Sequence, residues 1–130
     1  MRRSKKAYEL YVCPRCFNQV NKCTCDLYPP YELIMIDKKL QEPIRLLNQK
    51  GYRTWACCEG HKADEEIYIR LLVTDEMMKN KLPDGFWIDK KEFIRCRIPK
   101  NCEDIEQFKD NKISELKSWI LKLPNNKLQR

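Results

Sequence analysis

Two hydrophobic periods run through this chain and divide it into strands and helices. Alternation or short apolar runs mark Ala7 to Val12, Glu32 to Ile36, Tyr52 to Cys57, Ile67 to Thr74, Phe86 to Asp89 and Glu92 to Ile98 as strands. Ile67 to Thr74 is the strongest of these, and ELIMI at 32–36 reads as a buried one. A helical period takes over from Asp37 to Lys50, where Leu40, Ile44 and Leu47 share a face, Asp37 caps the start and Gly51 supplies the stop. Pro43 lies too far inside such a helix to be a first-turn proline. It predicts a kink, or a split into a short turn and a helix starting at Pro43.

Asp75 to Leu82 reads as a short helix and Pro83-Asp84-Gly85 as a turn. The longest helix spans Glu103 to Leu123, with Ile105, Phe108, Leu116, Trp119, Ile120 and Leu123 on its buried stripe. Asn101, three residues before Asp104, forms a variant capping box, Pro124 ends the helix, and NNKLQR is a polar tail. The helix between the strands at 32–36 and 52–57 predicts a β-α-β unit. The expected fold is α+β: a single domain over 1–130, with one mixed sheet of five or six strands covered by two helices.

Composition supports a folded chain. Hydrophobic residues make up 42% and charged residues 35%, with three glycines and no low-complexity tract, which argues against disorder. Gly51, Gly60 and Gly85 lie far apart, so a glycine-rich nucleotide cradle is excluded, and with it kinase and Rossmann chemistry. Lys and Arg number 26 against 19 Asp and Glu, a formal charge of +7 that one Zn²⁺ on four thiolates would lower to about +5. Such a field favours an acidic partner, whether nucleic acid or a protein surface. MRRSKK has the charge of a signal-peptide start, but no apolar run of signal or membrane length follows, so the expected location is the cytoplasm and no membrane partner is expected.

Thiols stay reduced in that compartment, so the eight cysteines read as metal ligands and small buried residues rather than as disulfides. Cys13, Cys16, Cys23 and Cys25 fall within CPRCFNQVNKCTC. Two close thiolate pairs on either side of a short reversal are what a tetrahedral Zn²⁺ ion requires, so residues 13–25 form an N-terminal four-cysteine zinc hook. Four sulfur ligands leave no open position, and the hook is therefore structural.

A second cluster, Cys57, Cys58 and His61, lies where a strand gives way to a loop, CCEGH. Cys58 and His61 have a ligand-like spacing, and Cys96 or Cys102 could complete a second metal site if the sheet brings them near. A Cys/His nucleophile pair is the alternative, but no neighbouring Asn or Asp orients it, and adjacent strand residues face opposite ways. The plainer reading, which the residues favour, is a core cysteine, a positive φ at Gly60 and His61 capping the loop. No catalytic set is expected. The acids Asp64, Glu65 and Glu66 read as a solvated loop.

Basic and aromatic residues are interleaved, and Arg53, Trp55, Arg95 and Arg97 are the candidate binding residues. Alternation sets Trp55 on the face of Arg53 and Cys57, and sets Phe93, Arg95 and Arg97 together opposite Ile94, Cys96 and Ile98. A cationic sheet face able to take nucleic acid is a reading to test; solvated cations that keep the chain in solution are the reading the residues favour.

CPRC, CTC, the helix IDKKLQEPIRLLNQKGY, and TWACCEGH followed by IYIRL resemble a group of small zinc-binding proteins of Gram-positive bacteria and their phages. The resemblance runs from Cys13 to Leu71, about half the chain. A zinc-binding, basic, non-catalytic phage protein of this size is similar to type II anti-CRISPR inhibitors. That resemblance implies a protein partner, a Cas9-type RNA-guided nuclease, whose DNA loading is blocked by occupation of a surface. A fainter likeness through LLNQKGYRTWACCEGH and IYIRL connects to tRNA-wybutosine-type methyltransferase proteins, with Cys57-Cys58-Glu59-Gly60-His61 in place of their Ser-Cys-Ser-Gly-Arg-like turn. It implies, as the alternative, an RNA-binding or tRNA-modifying protein that uses the CCEGH loop.

Overall fold

The computed structural model describes residues 9–19, 22–25 and 34–126. The basic arm, the first residues of both N-terminal strands, the Pro29-Pro30 link and the chain beyond 126 lie outside them. Strands β1 (Glu9–Val12) and β2 (Ile34–Asp37) form an antiparallel pair. Strands β3 (Thr54–Cys58), β4 (Glu66–Leu71), β5 (Phe86–Asp89) and β6 (Phe93–Arg97) form a four-stranded antiparallel sheet in the order β3-β4-β6-β5. The helices are α1 (Gln41–Gln49), α2 (Asp75–Met78) and α3 (Ile105–Leu121).

The class is α+β, and the six described strands divide into two antiparallel sheets rather than joining in one mixed sheet. Because β2 pairs with β1, α1 does not serve as a parallel crossover. Helix α1 packs on α3, and both share a core with Ile67, Ile69, Leu71, Ile94 and Cys96 from the inner face of the larger sheet. The other face keeps Tyr68, Arg70, Arg95 and Arg97 at the surface. Antiparallel sheets tolerate one wet face, whereas parallel sheets need cover on both.

The segment splits into a short turn and a helix as expected, with the helix starting two residues before Pro43. A 3₁₀ turn, Lys38–Leu40, leads into α1 at Gln41, so Pro43 falls in the first helical turn, where its missing N–H has no intrahelical acceptor to lose. The helix ends at Gly51 (φ 92°), with Tyr52 N donating to Leu47 O at 2.8 Å and Gly51 N to Asn48 O at 3.0 Å. This Schellman closure turns the chain back toward β3. There the Asn48 amide donates to Thr54 Oγ1 at 2.9 Å and accepts from Thr54 N at 3.3 Å.

Helix α3 is capped by Asp104, whose carboxylate accepts from Gln107 N at 3.0 Å, so the cap is Asp104 rather than Asn101. Its buried residues are Lys109, Ile113, Leu116, Trp119 and Ile120, with Ile105 and Phe108 packed at the margin. The chain past Pro124 stays docked: Asn126 N donates to Lys50 O at 2.7 Å and its side-chain amide to Gly51 O at 3.1 Å.

Candidate metal centres

The sulfurs of Cys13, Cys16, Cys23 and Cys25 lie within 4.8 Å of one another, and this cluster can hold a metal ion. Cys13 follows β1 directly and is buried. Its Sγ accepts from Arg15 N at 3.3 Å, and Cys23 Sγ accepts from Cys25 N at 3.2 Å. Burial acts to raise the Cys13 thiol, but the backbone N–H groups of Cys16 and Arg15 and the Cys23 and Cys16 thiols outweigh it and hold it at about 7. Cys25 is pushed up to about 12 by desolvation and by the other three thiols. One thiolate forms readily while like charges oppose the next, so a central cation is what lets all four ionise together.

Phe17 fastens this hook to the body. Its φ of 62° turns the chain after Cys16, its ring is buried in the core, and Gln41 at the start of α1 donates to its carbonyl at 2.7 Å. A bulky residue in the left-handed region costs on the order of 1–2 kcal/mol. Burying a phenyl ring offsets that by a similar amount.

The second cluster assembles differently from the one read in the sequence. Asp37, Cys58 and His61 bring one ligand atom each within 4.8 Å of the others. Cys58 Sγ lies 3.9 Å from His61 Nε2, and Asp37 Oδ2 lies 3.7 Å from the same nitrogen. Asp37 does not cap the following helical turn with its side chain; Oδ2 instead accepts from Glu59 N at 2.8 Å. Cys57 packs against the core and also lines the cavity beside the cluster, but it is not one of the three converging donors; burial foremost pushes its thiol up to about 12. Cys96 is buried on the inner sheet face under Gly85, and Cys102 packs at the core margin; neither joins Cys58 and His61.

The loop that carries Cys58 and His61 is held from below. Glu59 and Lys109 have fully buried side chains, and Lys109 Nζ donates to Glu59 Oε2 at 2.6 Å and to Gly60 O at 2.8 Å. The other carboxylate oxygen of Glu59 accepts from Lys39 N at 3.1 Å. Gly60 adopts φ +73°, and a Cβ there would come within 2.8 Å of Ile98 Cδ1. Glu65 Oε1 accepts from His61 N at 2.7 Å and from Lys62 N at 3.2 Å, so Glu65 organises the loop rather than lying solvated. Above the cluster opens a cavity of about 250 Å³ that Met35, Ile36, Cys57 and Tyr68 also line.

Asp37, Glu59 and Lys109 are the residues the sequence reading missed. One signal for Lys109 was present: it falls four residues after Ile105 and four before Ile113, on the buried stripe of a helix.

No protein-family model, curated protein or solved structure matches this chain.

The four candidate binding residues separate. Phe93, Arg95 and Arg97 share the outer face of the sheet, as alternation requires. Trp55 does not share the face of Cys57, which packs on the core. A register shift between Thr54 and Ala56 makes it the extra residue of a bulge, and it lies 59% exposed with the Arg70 guanidinium 5.8 Å from its ring centroid. Arg53 is exposed beside a groove that Arg15, Phe17 and Trp55 also line. The face is not cationic: Arg95 pairs with Glu66 and Asp89, Arg97 with Asp64 and Glu66, and Arg70 with Glu92. Arginine and aromatic side chains interleave there, with Arg95 4.1 Å from the Phe93 centroid and 5.7 Å from that of Tyr68.

Among the described residues no helix is long and apolar enough to cross a membrane.

Proposed function

We propose that this protein is a zinc-stabilised binding protein that works by occupying a surface of a protein partner, with the outer face of the four-stranded sheet as the contact. The observation that carries this reading is the composition of that face: Trp55, Tyr68, Phe93 and Trp87 interleaved with Arg70, Arg95 and Arg97. Trp, Tyr and Arg are the residue types in which protein interfaces concentrate their affinity. Because each of the three arginines already faces a carboxylate, the face suits a partner of mixed charge better than a polyanion.

Zinc is the ion we assign to the four-cysteine cluster, since four thiolates in two close pairs suit its tetrahedral preference. All eight cysteines are free thiols, which agrees with a reducing compartment, the cytoplasm. The partner class we take from the likeness of a small, basic, zinc-binding, non-catalytic phage protein to type II anti-CRISPR inhibitors: a nucleic-acid-processing nuclease of the Cas9 type, blocked in DNA loading.

DNA binding by a purified nuclease–guide complex in the presence of the chain tests this. Wild type should abolish loading at micromolar concentration, and a Trp55→Ala, Arg95→Ala variant should require about tenfold more or higher. No effect on loading sinks the nuclease assignment. Direct, steeply salt-dependent binding of single-stranded nucleic acid to the chain itself would sink the protein-partner reading in favour of the RNA-binding one. That second reading has one observation in its favour, the convergence of Asp37, Cys58 and His61 beside a cavity in the CCEGH region.

A further inference from the structure

We propose that Asp37, Cys58 and His61 form a second, open metal site for a divalent transition ion of the zinc class, with its fourth position facing the cavity lined by Met35, Ile36, Cys57 and Tyr68. The site is independent of the binding reading above. Its three donors come from the end of β2, the end of β3 and the loop beyond, so the tertiary fold assembles them.

The distances suit ligands round an ion, and the nitrogen–oxygen one is too long for a hydrogen bond. Tetrahedral zinc with ordinary bond lengths to sulfur, nitrogen and oxygen holds its ligand atoms roughly 3.4–3.6 Å apart. The observed separations are 3.9 Å for sulfur to nitrogen and 3.7 Å for nitrogen to oxygen, each a few tenths of an ångström wider. At 3.7 Å the carboxylate oxygen is beyond hydrogen-bond reach of the ring nitrogen. Both donors also approach the same nitrogen, Nε2. A nucleophile, base and acid relay would set the thiol and the carboxylate on opposite ring nitrogens, so the geometry is that of ligands round a centre and not of a Cys-His-Asp triad.

The local backbone repeats what the four-cysteine cluster does. Gly60 N points at Cys58 Sγ at 3.4 Å, from the residue two positions on, as Arg15 N does to Cys13 and Cys25 N does to Cys23. Cys58-x-x-His61 thus repeats the spacing of Cys13-x-x-Cys16. The supporting shell is also built: Asp37 Oδ2 accepts from Glu59 N at 2.8 Å, and the buried Lys109–Glu59 pair holds the loop's peptide bonds in place. Three protein donors leave a tetrahedral ion one exchangeable position, and the cavity of about 250 Å³ supplies room for a water or a small anion there.

The test is the metal content of the full chain, loaded with Zn²⁺ or Co²⁺, dialysed and weighed by native mass spectrometry. Wild type should carry two ions, and the Cys58→Ala, His61→Ala double variant one. In the Co²⁺ form, azide should shift the absorption bands of wild type and leave those of the double variant unchanged, because only the three-donor site has an open position. A wild-type ratio of one ion overturns the proposal, as does a second ion that survives in the double variant, and an azide-insensitive spectrum overturns the open position. Should the double variant unfold, the wild-type ratio and Asp37→Asn decide. Asn keeps an oxygen for Glu59 N while losing the charge of a donor, and it should weaken the second ion by about tenfold or more.

Discussion

Lys109 Nζ lies 2.6 Å from Glu59 Oε2, and both side chains are fully shielded from solvent although they are 50 residues apart. The pair joins the long C-terminal helix to the loop between Cys58 and His61, and Lys109 also donates to Gly60 O at 2.8 Å. A buried charge without its partner is far costlier than a neutral residue in the same place. Lys109→Met should therefore lower unfolding free energy by about 3–5 kcal/mol. Adding Glu59→Gln should recover part of that loss. Urea unfolding of the two variants measures both effects, and equal stability of the single and double variants would show that charge burial is not the cause.

Gly60 should resist substitution for a different reason. Its φ of +73° lies in the left-handed region, and a methyl group would meet Ile98 Cδ1 at 2.8 Å and the Glu66 carbonyl at 3.3 Å. Gly60→Ala should cost more than about 2 kcal/mol from strain and crowding together. It should also displace Gly60 N from Cys58, which hydrogen exchange at that amide detects.

The β5–β6 turn offers the opposite outcome. Lys90 and Lys91 adopt φ of 56° and 58°, while Glu92 N closes the turn on Asp89 O at 3.0 Å. Side chains with a Cβ are strained there, and Asn and Gly are the residues such turns prefer. Lys90→Asn with Lys91→Gly should raise stability by about 1–2 kcal/mol, seen as a higher thermal midpoint.

Loss of the hook's ion should unfold one end of the molecule only. The hook joins the body through β1, Phe17 and Gln41, whereas Ile67, Ile69, Leu71, Ile94 and Cys96 of the four-stranded sheet share their core with the helix residues Ile44, Leu47, Leu116 and Ile120. A strong chelator should strip hydrogen-exchange protection from residues 12–19 and leave β4 and β6 protected. Acid should do the same, because metal binding requires the thiolates and protons compete for them, so retention falls as pH falls.

Sequence by itself determined much of what depends on neighbours a few positions apart. Ile67, Ile69 and Leu71 alternate with Tyr68 and Arg70, so the inner and outer faces of β4 were legible, and Gly51 ended α1 because only a residue tolerant of φ 92° closes that turn cheaply. Cys13 to Cys25 was legible as one metal cluster because its ligands are close in the chain. Tertiary structure alone decided the rest. One unpaired residue at Trp55 shifted a register and moved that ring to another face, and the pairing of β2 with β1 replaced one mixed sheet by two antiparallel ones. Asp37 met the CCEGH loop 22 residues on, and Lys109 met Glu59 across 50. No short-range period encodes such pairs, since they depend on how α1, α3 and the sheet pack into one core and on which polar groups that packing cuts off from water.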